Sequence, residues 1–121
     1  MTNGKNSKKY DLEDRTFEFA KNVRSLVKKI PRSLSNVEDG KQLVRSSGSV
    51  GANYIEANDS LSKKDFRMRV KISRKEAKES RYWLKLIDIE GKSDLENARI
   101  SLIKESTELM NIFGAILRNS K

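Results

Sequence analysis

Apolar residues in this chain return every three or four positions and never alternate over a strand-length run, and the single proline stands at position 31. Such spacing belongs to helices that each bury one face, and it leaves no segment to organise a sheet. Phe17, Ala20, Val23, Val27 and Ile30 make the first face, and Pro31 closes it, so helix one is expected over about residues 12–30. Three further helix starts follow. Ser35 with Glu38 and Ser93 with Glu96 have the capping-box spacing, in which hydroxyl and carboxylate reciprocally satisfy free backbone N–H groups, and Ser62 with Asp65 is a weaker version of it. Gly91 reads as the stop after the third helix.

Helix two, about residues 36–58, then presents Leu43, Ser47, Val50, Tyr54 and Ala57 on one face. Helix three, about 63–90, presents Phe66, Val70, Ser73, Ala77, Ser80, Leu84 and Ile87. Helix four, about 94–118, presents Leu95, Ala98, Leu102, Leu109, Phe113 and Ile116, and Ile103, Met110 and Leu117 widen its stripe. Short loops join them, which predicts an all-α fold: an antiparallel up-down-up-down four-helix bundle over residues 11–121. The surplus apolar width of helix four, with the small residues of helix two, suits either a wider internal core or a subunit interface. Residues 1–10, with Lys5, Lys8 and Lys9 and little to bury, are expected to form a disordered basic arm.

What the chain lacks narrows its chemistry. It has no Cys and no His among 121 residues, which removes disulfides, thiolate or imidazole metal sites, Cys nucleophiles and Ser-His-Asp relays. A Ser–Lys or carboxylate mechanism remains, and no spacing supports either, so no catalytic residue, cofactor or metal is expected. Glu76 and Glu79 lie one turn apart, but a di-iron bundle needs a Glu-x-x-His pattern. The chain has no run long and apolar enough to span a membrane, and its polar start lacks a secretory stretch; a soluble, cytoplasmic protein is expected.

Charge is the positive signal. The formal net charge is +9, and residues 63–85 hold ten basic and three acidic residues, a net of +7 in one segment. Lys64, Arg67, Lys71, Arg74, Lys78, Arg81 and Lys85 step by alternating threes and fours into a continuous stripe beside the apolar seam. A line of cations is what a polyphosphate backbone binds, because each neutralised phosphate releases counterions without any reading of bases. The other reading is a solvated helix face. Tyr82 and Trp83 either stack on bases or pack in the core or an interface. On helix two, Arg45, Ser49, Ala52 and Glu56 share a face with Asn53 beside them, which suggests either a polar pocket or an Arg45–Asn53–Glu56 network that fixes register within or between subunits. Gly48 and Gly51 in mid-helix imply close packing that offsets their cost of about 1 kcal/mol.

The stretch from Arg45 to Glu56, Arg-Ser-Ser-Gly-Ser-Val-Gly-Ala-Asn-Tyr-Ile-Glu, resembles the helix-two signature of bacterial four-helix bundle proteins named for intervening sequences in 23S ribosomal RNA genes. Ile30-Pro31 before it, and the Glu76 to Leu84 segment with its Tyr-Trp-Leu ending, fit the same layout. The usual Asn-Ile-Ala-Glu-Gly is here Asn53-Tyr54-Ile55-Glu56-Ala57. The resemblance implies a homopentameric ring with a basic surface or pore, and relatives that act as accessory proteins to reverse transcriptases in diversity-generating retroelements. The combined expectation is a non-enzymatic, homo-oligomeric nucleic-acid-binding protein, RNA slightly favoured, with no membrane partner. The alternative is a scaffold that docks a reverse transcriptase or another acidic partner.

Overall fold

The structure, a computed structural model, describes the backbone of residues 4–121 and the side chains of residues 11–121. Four helices make it up: α1 (Gly4–Lys29), α2 (Leu34–Asn58), α3 (Lys63–Leu86) and α4 (Ser93–Asn119), with no strand among the described residues. Helix α1 begins well before residue 12. The basic arm expected at residues 1–10 falls outside the described side chains, and for residues 1–3 outside the described backbone. The helices pack as neighbours in chain order, α1 on α2, α2 on α3, α3 on α4 and α4 back on α1, with no diagonal pair in backbone contact. The core lies between all four, where the Tyr54 ring of α2 reaches the Phe113 ring of α4 at 5.8 Å between centroids.

The buried faces of α2, α3 and α4 follow the expected spacing, except that Phe66, Ala98 and Ile116 are only partly buried. Leu117 joins the core, and Ile103 and Met110 pack against it. Helix α1 departs from the expected face. Its buried residues are Leu12, Thr16, Phe19, Val23 and Leu26, whereas Phe17 is 63% exposed and Ala20, Val27 and Ile30 are half-buried. Both sets have helical spacing. The first wins because it brings Leu12, Phe19 and Leu26 into the core at the cost of one small hydroxyl, and Thr16 satisfies that hydroxyl by donating to the Glu13 carbonyl at 2.9 Å.

Two of the three expected caps differ. Ser33, not Ser35, caps α2, its hydroxyl oxygen accepting from the Asn36 N–H at 3.1 Å. Ser62 caps α3 as expected, accepting from the Asp65 N–H at 3.1 Å. Ser93 lies inside the first turn of α4, behind Lys92, which makes no side-chain cap bond. Glu96 instead pairs with Arg99 at 2.7 Å, and Arg99 donates to the Ile87 carbonyl at 2.6 Å, so the carboxylate serves the loop rather than the helix start.

Helix α3 stops at Leu86, short of Glu90. On a helix, Ile87 and Ile89 would point roughly opposite ways; the chain instead leaves the helix at Ile87 (φ −57°, ψ 143°), which frees the two side chains from that constraint. Both are buried, and the chain then turns back through Gly91 at φ +72°, a conformation that suits glycine.

Small residues set how closely the helices approach. Ser46 and Ser80 share a hydrogen bond at 2.9 Å between α2 and α3, and the Ser73 hydroxyl donates to the Val50 carbonyl at 2.9 Å. Between α1 and α2, a β-carbon at Gly51 would fall 2.8 Å from Thr16 Oγ1 and 3.1 Å from Thr16 Cβ. At Gly48 it would meet only the Arg24 guanidinium tip, at 3.3 Å. Gly51→Ala is expected to destabilise the fold by about 1–3 kcal/mol through overpacking, despite alanine's better helix propensity, while Gly48→Ala is neutral or stabilising. Urea unfolding of the two variants side by side checks this.

Candidate nucleic-acid interface

Helix α3 sorts its side chains by direction. Val70, Ser73, Ala77, Ser80 and Leu84 face the core. Glu76 and Glu79 face α2, where Arg45 meets them at 3.9 Å and 3.5 Å. Arg69 also turns to α2, and the other cations lie on the solvent side and along the edge with α4.

Of the seven residues in the expected stripe, Lys64, Lys71, Arg74, Lys78 and Lys85 are exposed, and none of the five forms an ion pair among the described residues. Arg67 and Arg81 are half-buried and committed to α4. Arg67 donates to the Leu117 carbonyl and, at 2.9 Å, to the Ser120 hydroxyl, while Arg81 donates to the Thr107 hydroxyl at 3.1 Å. These two brace the helix pair through neutral acceptors, which leaves their charge in place but engages part of their donors. Lys75 is exposed on the same solvent side and extends the row. Its signal in the sequence is the four-residue step from Lys71, which branches off the alternating stripe.

The opposite sign gathers elsewhere. Asp11, Asp14, Glu18, Glu105 and Glu108 flank the groove between α1 and α4. There Arg15 holds Glu105 with two bonds, at 2.7 and 2.8 Å, and Glu108 with one at 2.8 Å. Those carboxylates, Glu105 first, raise the guanidinium's hold on its proton further. No local motif announces this clamp, because its partners are 90 residues apart. Among the described residues, positive charge is thus concentrated on α3 and negative charge along the α1–α4 groove, where Arg15 and Lys104 offset part of it.

The expected Arg45–Asn53–Glu56 network does not form within the chain. Arg45 and Glu56 sit eleven positions apart on one helix, about 16 Å along its axis, which is beyond side-chain reach. Arg45 turns to α3 instead, Asn53 Oδ1 accepts from Arg69 at 3.1 Å, and Glu56 is exposed with no ion pair among the described residues. Glu76 and Glu79 are not joined by further ligands: no group of three or more His, Cys, Asp or Glu placed to hold a metal occurs among the described residues. Tyr82 and Trp83 part ways, Trp83 packing on the core and Tyr82 standing 58% exposed.

Glu76 is buried, and its Oε1 has no hydrogen-bond partner among the described residues. Burial first, and the neighbouring Glu79 carboxylate second, push its carboxyl above the usual range. A carboxyl that binds its proton more tightly in the folded state costs stability once ionised. The cost is absent below the ordinary carboxylate value and grows as pH rises through the raised one. Glu76→Gln is expected to melt at or above wild type near neutral pH, with any gap closing as pH falls to about 4, the ordinary Glu range. Circular-dichroism melts across that range check it, and a variant that melts below wild type at neutral pH would show that the distant Arg45 outweighs burial.

Residues 8–115 match the family of 23S rRNA-intervening sequence proteins. The chain belongs to that family. The match takes in all of α2 and α3 and most of α4. Among solved structures, a protein of unknown function from the S23 ribosomal protein family of Bacteroides thetaiotaomicron is 31% identical, with a TM-score of 0.77 over 92% of this chain and 98% of that one. No match was found among curated proteins. The four packed helices that carry the basic face are thus the family fold, with no helix among the described residues long and apolar enough to cross a membrane.

Proposed function

We propose that this family member is a non-enzymatic, cytoplasmic nucleic-acid-binding accessory protein that grips RNA, or DNA, by its phosphate backbone through α3. The observation that carries this reading is the row of exposed α3 cations free of ion pairs among the described residues, set against an acidic α1–α4 groove. Binding of this kind is weakly selective for sequence and falls steeply with salt.

The bundle is read as antiparallel and up-down-up-down. In support, the pairs Lys63 with Lys121, Arg67 with Leu117, Arg81 with Thr107 and Ile87 with Arg99 run in opposite chain directions. The assembly is read as a homopentameric ring, which would repeat a +9 charge five times. Family membership and the exposed Phe17 and Ile55 beside the α1–α2 furrow support self-association. Light scattering is expected to return about five times the 13.9 kDa of one chain, and a monomer mass would remove the ring. Fluorescence-anisotropy titrations at several salt concentrations test the binding; salt-independent or absent binding would overturn it.

A second reading has its own observation. The other end of the α1–α2 furrow has an apolar floor of Val27, Ile30, Val37 and Val44 rimmed by Lys28, Arg32, Lys41 and Arg45, a lining that suits an acidic protein partner such as a docked segment of a reverse transcriptase.

A further inference from the structure

The solvent face of α3 carries more than charge. Tyr82 is 58% exposed, Met68 50% and Leu86 49%, on the same side of the helix as Lys71, Lys75 and Lys78. Tyr82 stands one turn from Lys78 on one side and from Lys85 on the other. Its ring meets that of Trp83 edge to face, 5.0 Å between centroids and 78° between planes, and Trp83 is itself packed on the core. The tyrosine is therefore braced by a fixed neighbour while remaining open to solvent, between two exposed lysines.

Length and straightness bear on which polyanion fits. The row from Lys64 to Lys85 runs about 32 Å along one helix axis. A duplex turns once in about 34 Å, so each of its strands winds past a straight row roughly once and then leaves it. A single strand has no such constraint. It can follow the row phosphate by phosphate and has unpaired bases whose faces are free to stack on an aromatic ring.

We propose that the α3 face takes single-stranded nucleic acid, with Tyr82 as a stacking platform for one base whose flanking phosphates lie on Lys78 and Lys85. This rests on the reading of α3 as the phosphate-contact surface and adds the strandedness of the ligand and the residue that selects it. The remaining cations supply affinity to any polyanion; Tyr82 supplies the preference for a strand with bases.

The test uses the full chain and labelled oligonucleotides long enough to span α3: oligo(U), oligo(dT), a duplex of equal length, and a base-free deoxyribose-phosphate strand of equal charge. The expected result is that both base-bearing single strands bind more tightly than the duplex and the base-free strand. Tyr82→Ala weakens the two base-bearing strands by roughly 5- to 150-fold, the loss expected for one stacked base, and leaves the other two unchanged. Tyr82→Phe keeps wild-type binding. The ranking of oligo(U) against oligo(dT) shows which sugar the face prefers, and either order supports the proposal. Equal affinity of Tyr82→Ala and wild type for both base-bearing strands, or a duplex bound as tightly as they are, would overturn the single-strand inference while leaving the phosphate-contact reading intact. Failure of wild type to bind any of the four in a salt-dependent way would overturn both.

Discussion

Replacing Lys71, Arg74, Lys75 and Lys78 together by Gln is expected to abolish most nucleic-acid binding while leaving the helices folded. All four are exposed and unpaired among the described residues, so their charge contributes little to holding the bundle together. Each phosphate of a single strand that is no longer neutralised takes about 0.7 off the slope of log affinity against log salt. Four such phosphates would flatten it by nearly 3 and, at 50 mM salt, lower affinity on the order of a thousandfold. Arg67→Gln with Arg81→Gln is the matched control. Those side chains bond to Leu117, Ser120 and Thr107 of the α4 segment, so that pair is expected to lower the melting temperature and to flatten the slope less than the quadruple variant does. A quadruple variant with wild-type affinity and slope would transfer function to the α1–α2 furrow and the protein-scaffold reading.

The largest stability effect away from the hydrophobic core is expected at Asn36. Its buried amide donates to the carbonyls of Pro31 and Asp88, each at 2.8 Å, and its oxygen accepts from the Asp88 N–H at 2.9 Å. One side chain thus satisfies three backbone groups in two loops. Asn36→Ala strips all three of a partner, and an unsatisfied buried group costs about 1–3 kcal/mol. Water reaching part of the opened site offsets some of that, leaving an expected loss of about 2–4 kcal/mol in urea unfolding. Asn36→Asp is expected to do no better, because it sets a carboxylate against two carbonyl oxygens. A loss below about 1 kcal/mol would show that the loops hold together without the amide.

Much of this architecture was legible in the sequence because it repeats with the helix period: four helices, the inner faces of α2 to α4, the Ser62 cap and the concentration of charge on α3. What escaped did so for identifiable reasons. Helix α1 carries two apolar stripes of equal regularity, and periodicity cannot say which one meets the neighbours; the choice turned on whether Thr16 could satisfy its own hydroxyl. The Ser35–Glu38 pair has a capping-box spacing, yet Ser33 sits where the chain leaves Pro31 and takes the role. Arg45 and Glu56 share a helix face, but sharing a face eleven residues apart brings no two side chains together. Asn36 has no motif at all, since two of its three partners come from a loop 52 positions away. On α3, the pattern located the cations but not their occupations: which of them face water and which brace α4 depends on where α4 lies.

The Asn36 tie makes the two ends of the bundle unequal. At one end, the loops between α1 and α2 and between α3 and α4 are stitched to each other. At the other, the turn between α2 and α3 leaves Leu61 wholly exposed, with Asn58 bonded to Glu13 and Lys63 to the Lys121 carbonyl. Thermal fraying should start at that second end, and a dye, affinity tag or inserted peptide placed in the turn around Leu61 would disturb the molecule least. The same cargo inserted beside Pro31 or Asp88 would pry open two loops at once.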